Sequence, residues 1–360
     1  MPSLNVDVES FYRLNDIYML GSSFATAFHR ALEYCYRHSP CIFEEGFAAL
    51  GSMLSYARFG QLTKEQVNVH SGAVSLEKLR NAVISNMHDA LAIVMLGQAL
   101  AAFDSLLTSK SSNLIIRHSL LLARPWYAEI VQHSFLEPIA ISPLLWDTVW
   151  CLLHREVPMI RPVLNRTGVV DRSAGLCTSL LSILYDLCVV SQQLENGTVD
   201  NNGLQGIEQR IQAWAPDASE SHLSSTFSRL EILSMRTQAR MYRIAGLLLV
   251  HRLRHPLLGH EDTTATSLAT EILDARHQFF VEAGRNAKLQ NIVFPLLLAL
   301  LEVRVPLEGL WEGLTWLQTR PACVDRLFNF VKYTWDQKAL GFGGSLIELL
   351  EKGPKFVPLP

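Results

Sequence analysis

Two histidines have a spacing that a metal site could use. His251 and His255 are four residues apart, so on a helix both imidazoles would lie on one face, as pairs of metal ligands do. No acidic residue lies between them, and Arg252 and Arg254 would repel a cation. The basic end of a helix therefore explains this cluster better than a metal site does.

The cysteines do not form a recognisable metal or redox motif either. Cys35 and Cys41 could pair or bind a metal, but no second pair follows them, and none of the 6 cysteines has a CxxC spacing. Scattered cysteines in an apolar chain of this length are typical of reduced thiols in the core of an intracellular protein. The sequence therefore predicts no bound metal and no cofactor.

Familiar catalytic motifs are also missing from the sequence. The chain has no Gly-x-Ser-x-Gly nucleophile turn and no P-loop ending in Gly-Lys-Ser/Thr. The glycines of Gly341-Phe-Gly-Gly344 follow no strand, as a phosphate-binding loop would require. The Asp-Asp-x-x-Asp cluster of helical terpene cyclases does not occur. No catalytic residue is predicted, although a carboxylate buried in a cavity would escape this search.

The clearest candidate for a binding surface is a stripe of arginines spaced seven, four and three residues apart. Such spacing places the side chains on one face of a helix, beside an apolar face turned roughly a quarter to a third of the way around. The stripe consists of Arg229, Arg236, Arg240 and Arg243. A solvated face or ion pairs with neighbouring helices would explain it. The functional alternative is contact with an acidic surface of a partner protein.

The tryptophans give a second candidate. Trp146 and Trp150 are four residues apart, and Trp311 and Trp316 are close together in the sequence. Aromatic residues at helical spacing usually belong to the core. The alternative is an apolar pocket, which is compatible with a chain in which 49% of the residues are hydrophobic and only 18% are charged.

Charge and hydropathy restrict the class of protein. The formal net charge of −3 predicts no general attraction to nucleic acid or to anionic membranes. The first sixteen residues contain three acidic side chains and no apolar core, unlike a secretory signal. The longest apolar stretches, residues 90–103 and 292–301, are shorter than the roughly 18 residues that span a bilayer. We therefore expect a soluble intracellular protein without a membrane segment.

Helical periodicity dominates the chain, and the alternation typical of strands is absent. Prolines and glycines suggest where the helices begin and end, including Pro295 and Pro306 in first turns. The predicted helices are Met87–Leu107, Leu144–Leu153, Ser179–Val190, Ile207–Trp214 and one from about Ser225 to His255. Two more follow: one is capped by Asp262 and closed by Gly284, and the other runs from after Pro321 through Leu340 and ends on Gly341. A polar segment rich in Asn and Gly, Ser191–Gly206, predicts a flexible loop. With no fixed repeat, the expected fold is all-α, a single large irregular multi-helix domain over residues 1–360.

Five short segments also occur in an order seen in a known family. They are Arg172-Ser-Ala-Gly175 with Leu180–Leu187, then Ile207–Pro216, Met241–Arg252, Phe294–Ala299 and Val331–Trp335. In their order and spacing, over about residues 75–350, they resemble the helical regulatory domain of fungal zinc-cluster transcription factors, the fungal-specific transcription factor domain of the second type. The resemblance implies an all-α fold, a nuclear location with the cytoplasm as alternative, and a role in transcription.

This sequence departs from the family pattern in one respect. Members carry a six-cysteine zinc cluster near the N-terminus that binds DNA, and this sequence has none. Clusterless members occur in secondary-metabolism gene clusters, which implies regulation without direct contact with nucleic acid. The expected partners are proteins of the transcription machinery or a DNA-binding regulator, together with an apolar small molecule as an effector. The alternatives are an enzyme or metabolite-binding protein that has adopted this fold and its cavity, or a plain helical scaffold.

Overall fold

The computed structural model describes residues 18–59, 64–107, 111–197, 201–257, 262–307, 309–310 and 321–356. Within these ranges the fold is all-α, as predicted, and no strand is present. The nearest approach to a sheet is one isolated antiparallel bridge between Asp171 and Gly175. A single cluster of buried apolar side chains extends from Tyr18 to Leu350. The described chain is therefore a single multi-helix domain.

The helices of four residues or more are numbered in chain order. They are α1 (Ala25–His38), α2 (Pro40–Phe59), α3 (Val69–Arg80), α4 (Met87–Leu107), α5 (Ser112–Ala123), α6 (Tyr127–Ile130), α7 (Glu137–Ala140), α8 (Ser142–His154), α9 (Leu181–Glu195), α10 (Asn201–Ala213), α11 (Glu220–Thr226), α12 (Arg229–Arg254), α13 (Thr263–Ala283), α14 (Val293–Glu302), α15 (Pro321–Ala339) and α16 (Leu346–Lys352).

Helix α4 is the centre of the N-terminal half. Helices α2, α3 and α5 pack around it, so it is buried on nearly every side, and its sequence is correspondingly apolar all round. By length and composition Met87–Leu107 and Ser134–His154 could cross a bilayer, but 83% and 78% of their apolar windows are buried inside the protein. The expectation that apolar stretches are too short to span is therefore wrong for α4, whose apolar surface is instead covered by protein.

Helix α12 is the centre of the C-terminal half and packs against α10, α13 and α14. Its predicted start at Ser225 is wrong, because Ser225 belongs to α11 and the backbone is extended at Phe227 and Ser228. Ser228 then caps the new helix. Its hydroxyl accepts the N–H of Glu231, and the Glu231 carboxylate accepts the N–H of Ser228. This reciprocal cap separates α12 from the short helix before it.

The observed helix ends agree with the predicted ones where a capping side chain, a glycine or a proline marks the end. The Asp262 side chain accepts the Ala265 N–H and caps α13, which ends at Gly284 with φ of 90°. Pro295 lies in the first turn of α14, and Gly341, with φ of 83°, follows α15. The helix predicted from Pro306 falls mostly on residues outside the described ranges.

The predicted loop Ser191–Gly206 is wrong in extent. Helix α9 continues to Glu195 and α10 begins at Asn201, so only residues 196–200 separate them, and 198–200 lie outside the described ranges. Leu204 is completely buried, and Leu194 packs against the core. The burial of these two leucines against the core outweighs the turn preference of the Asn and Gly residues around them.

Candidate functional site

A buried turn, Asp171–Gly175, lies between the two halves of the fold. The Asp171 carboxylate accepts the N–H groups of Ser173 and Ala174 at 2.9 and 2.8 Å and the Ser142 hydroxyl at 3.1 Å. Burial raises the pKa of Asp171, while the neighbouring Arg172 and these hydrogen bonds oppose the rise. Because its oxygens are held by the turn, Asp171 is a structural carboxylate.

The Arg172 side chain is equally buried, at 3% exposure. Its Nε donates to the Pro138 carbonyl at 2.8 Å, its Nη2 donates to Gln98 Oε1 at 2.7 Å, and its guanidinium lies 4.4 Å from the centre of the Phe28 ring. Burial lowers its pKa to about 10, so it stays charged at neutral pH. A cavity of about 10 Å³ beside it has room for about one water and not for an apolar effector.

A second buried network lies at the C-terminal end of α12. Arg252 donates to both carboxylate oxygens of Glu302, at 2.6 and 2.7 Å, and to Asp262 at 2.9 Å. The Lys338 ammonium donates to Glu302 at 2.9 Å, and His251 Nε2 lies 2.7 Å from Asp262. The last turn of α12 is basic, as the sequence predicts, and holds His251, Arg252 and Arg254. Arg252 is in addition 5% exposed and joins α12 to α13 and α14.

The histidines and cysteines that could bind a metal or react do not form such a site among the described residues. The rings of His251 and His255 lie 4.6 Å apart, and within the described ranges no group of three or more His, Cys, Asp or Glu side chains could hold a metal ion. None of the six cysteines, all of which the structure describes, forms a disulfide, and Cys41 alone among them is exposed. Burial raises the pKa of Cys35, Cys151 and Cys177, so these thiols are protonated and weak nucleophiles.

The arginine stripe divides into a groove and one outlying residue. Arg236, Arg240 and Arg243 line a solvent-open groove of about 560 Å³ between α12, α11 and residues 214–219. Arg229 is not among the lining residues; its side chain is 93% exposed, with Glu282 at 3.6 Å. The structure therefore brings three of the four predicted binding residues together at one concave surface, which we call the arginine groove.

The three arginines of the arginine groove differ in their partners. Arg236 forms an ion pair with Glu220, which also lines the groove. Arg240 donates to Glu271 at 3.1 Å and to Gln278 at 3.3 Å. Arg243 makes no hydrogen bond or ion pair with any described residue, and its Nε is buried without an acceptor. The groove therefore contains one guanidinium with unused donors.

The floor of the arginine groove is apolar. Leu176, Leu223 and Ala239 line it, together with Trp214, whose indole N–H donates to the Ser179 hydroxyl at 3.1 Å. Ala239 belongs to α12 itself, whereas Leu176, Trp214 and Leu223 come from segments that precede α12 in the chain. Helical spacing predicted the arginines, but no local pattern predicted that Trp214 and Leu223 would lie across from them.

Of the four tryptophans that the sequence offers as a candidate pocket, the structure describes two. Trp150 stacks on His154 with ring centres 3.6 Å apart, and Trp146 lines the small cavity beside Arg172. Both side chains are partly buried against the core, in agreement with their interpretation as core aromatics. Trp311 and Trp316 lie outside the described residues.

No protein-family model, curated protein or solved structure matches this chain. Two of the segments that carry the family resemblance meet in the core, where the Tyr242 ring lies 5.8 Å from that of Phe294. Two others contact residues just outside a segment: the Ser173 carbonyl accepts from Gln238 at 2.8 Å, and the Trp335 indole donates to the Leu300 carbonyl at 2.6 Å. These contacts give the four segments a structural role in the core.

Proposed function

We propose that this chain is a non-catalytic regulator of transcription in a fungus, linked to secondary metabolism, which acts through protein partners and does not itself bind DNA. In this proposal the arginine groove contacts an acidic surface of a protein of the transcription machinery or of a DNA-binding regulator. The nucleus is the corresponding location. The arginine groove supports the proposal because three arginines line it together with apolar side chains, and only one carboxylate is among the lining side chains.

The shape of the groove favours a protein over DNA. Tight DNA binding usually neutralises about 6–10 phosphates, whereas the groove offers three arginines in a chain of net charge −3. A helix that reads DNA must enter a groove of the duplex. The opposite side of α12 is buried against α13 and α14, and its arginines line a concave surface. A short projecting segment fits such a surface better than a duplex does.

The rival function, an enzyme acting through a buried carboxylate, gains no support from the buried carboxylates of Asp171, Glu302 and Asp147. Asp171 is bonded within its turn, and Glu302 is held by Arg252 and Lys338. Asp147 accepts the Met159 N–H at 2.6 Å. A catalytic carboxylate needs access to a substrate, and each of these three has protein groups as its partners.

A tethering experiment tests the proposed function. The full chain is fused to a heterologous DNA-binding domain, and transcription of a reporter carrying the matching sites is measured in a filamentous fungus. We expect reporter output to change, and the double variant Arg236→Glu with Arg240→Glu to abolish that change. The matched control is Arg285→Glu with Lys288→Glu, an equal charge reversal at two exposed side chains outside the groove lining, which should leave the change intact.

Two results would contradict the proposal. The first is a fusion that leaves reporter output unchanged although it is expressed and folded. The second is sequence-specific retardation of DNA by the isolated chain in a mobility-shift assay at about 150 mM salt, where the screening length is about 8 Å. That second result would make the chain a direct DNA reader.

A further inference from the structure

We infer that the arginine groove binds a short acidic segment of a protein partner in which an apolar side chain lies beside two carboxylates. The carboxylate of Glu220 occupies part of this groove in the free protein and is displaced when the segment binds. The inference rests on the proposed function and specifies the chemistry of the partner. Three features of the groove support it, namely the unused donors of Arg243, the apolar floor and the exposed position of Glu220.

The unused donors of Arg243 account for the first carboxylate. Arg243 lines the groove and makes no hydrogen bond or ion pair with a described residue; its Nε is buried, so the Nη groups are the donors that a ligand can reach. A guanidinium can bind a carboxylate through two parallel hydrogen bonds, which is the strongest pairing that this side chain makes in proteins. A ligand carboxylate at this position would satisfy Arg243 without taking an existing partner away from Arg240, which already has Glu271.

The apolar floor accounts for the side chain between the carboxylates. Leu176, Leu223 and Trp214 line the groove beside the arginines. Inorganic phosphate or a small dianion would use the guanidinium groups and leave this floor in contact with water. A segment that places a leucine-sized side chain on the floor gains hydrophobic burial as well. The groove volume of about 560 Å³ is large enough for several side chains of a peptide.

Glu220 accounts for the displaced carboxylate. It begins α11, a helix of seven residues in which only Leu223 is buried. The Glu220 side chain is 78% exposed and its partner Arg236 is 49% exposed, so their ion pair is solvated and weak. A partner carboxylate can therefore replace Glu220 at Arg236 at little cost, and Glu220 limits binding by anions that cannot also use the floor.

The experiment measures fluorescence anisotropy of a labelled peptide, Asp-Leu-Asp-Asp-Leu-Asp, with the full chain at about 150 mM salt. Arg243→Gln should weaken binding by about tenfold, since a charge-assisted pair with an arginine is lost. Glu220→Gln should tighten binding by about threefold, because the competing carboxylate is removed. Arg229→Gln is the matched control: it lies on the same helix outside the groove lining and should leave affinity unchanged. Circular dichroism confirms that each variant is folded.

Two peptide controls separate the contributions of charge and floor. A peptide with Asn for every Asp should not bind, and one with Gly for every Leu should bind more weakly. Equal affinities of the Arg243→Gln and Arg229→Gln variants would overturn the assignment of the groove. Competition by inorganic phosphate or by a DNA duplex as strong as that by unlabelled peptide would show a general anion site instead.

The test is independent of the regulatory proposal. Peptide binding that follows the expected pattern, combined with a transcriptionally silent fusion, would support the ligand chemistry and refute the regulator. An active fusion together with peptide affinity that none of the groove substitutions alters would refute the ligand chemistry alone.

Discussion

Helix α12 carries arginines in two contrasting environments. Arg252, near its C-terminal end, is 5% exposed and donates to Glu302 and Asp262. Arg236 and Arg243 lie at the solvent-open groove, where the first has one exposed acidic partner and the second has none. A guanidinium can be buried at a tolerable cost only when its donors find partners within the protein. The comparison separates an arginine that holds the fold together from arginines with donors available for binding.

The contrast predicts opposite consequences of substitution. Removing a buried arginine leaves its carboxylate partners charged and desolvated, so the folded state is weakened. Removing a groove arginine leaves no buried carboxylate without a partner, because the acidic partners Glu220 and Glu271 are exposed to water. Stability measurements should therefore respond to Arg252 and hardly to Arg243, while binding measurements should show the reverse order.

The largest expected effect is at the buried network. Arg252→Met should lower the free energy of unfolding by about 3–5 kcal/mol, because Glu302, with 3% side-chain exposure, then keeps only Lys338 as a charged partner among the described residues. Urea denaturation followed by circular dichroism measures the change. Arg254→Met is the matched control on the same helix; its partner Glu208 is 31% exposed, and the loss should be at most about 1 kcal/mol.

A double variant sharpens this prediction. Adding Glu302→Gln to Arg252→Met removes the uncompensated charge, so it should recover more than half of the lost stability. If Arg252→Met and Arg254→Met destabilise the protein equally, the network at Arg252 is no more than a surface feature, and the contrast between the two environments is wrong.

Alanine substitution at two glycines with similar backbone angles should lower the stability by different amounts. Gly175 has φ of 55° and Gly197 has φ of 67°, so alanine is strained at both. At Gly175 an added Cβ would lie 2.5 Å from Gln238 Oε1 and 2.8 Å from Leu20 Cδ1, whereas at Gly197 it would meet nothing within 4 Å. Gly197→Ala should cost about 1 kcal/mol from backbone strain alone. Gly175→Ala should cost about 3 kcal/mol because overpacking of the buried turn is added.

Urea denaturation of the two alanine variants side by side measures this difference. Equal losses would show that the turn beside Asp171 and Arg172 has room to adjust, and its assigned role as a tightly packed centre would then fail.

The charge of Asp262 should make a smaller contribution to stability, which is lost in acid. Burial raises the pKa of Asp262, but the Ala265 N–H, His251 and the charge of Arg252 outweigh it and lower the pKa to about 2 in the folded protein. A lowered carboxyl pKa stabilises the folded state above the ordinary value of 3.8, and this contribution disappears as the pH falls towards 2. Asp262→Asn keeps the helix-capping oxygen but removes the charge.

We therefore expect wild type to be more stable than Asp262→Asn by about 1 kcal/mol at pH 6, a partly exposed site being screened by solvent. The difference should shrink to near zero as the pH falls from 4 to 2, around the folded pKa of about 2. Urea titrations at several pH values measure it. A difference that stays constant over this range would mean that the Asp262 charge is not coupled to folding.

The sequence predicted those parts of the fold that have local chemical signals. Asp262 and Gly284 begin and end α13 because a capping carboxylate and a left-handed glycine act within a few residues of the helix end. The predicted extent of the loop, residues 191–206, is wrong because the burial of Leu194 and Leu204 depends on contacts with distant parts of the chain. Local composition does not contain that information.

The candidate site was predictable to the same extent. Helical spacing placed Arg236, Arg240 and Arg243 on one face, and the structure places them on one groove. The pairing of Arg252 with Glu302, 50 residues away, was not predictable from one sequence. Arg243 and Arg252 are the same residue type on the same helix, so only the surrounding fold determines which one is satisfied by the protein itself.

The smallest expected effect on stability is that of Arg243→Gln. The substitution removes a charge that pairs with no described residue and a buried Nε that lacks an acceptor, so the folded protein loses no favourable hydrogen bond there. Glutamine retains most of the apolar stem of Arg243, which lines the groove together with Trp214 and Ala239. The free energy of unfolding should therefore change by less than about 0.5 kcal/mol, with either sign allowed by the balance between lost packing and removed desolvation.

Urea denaturation measures this change in the same protein samples whose peptide affinity falls about tenfold. A loss of stability above about 2 kcal/mol would mean that Arg243 holds the fold together as Arg252 does. The two environments on α12 would then be alike, and the weakened peptide binding would reflect a damaged structure.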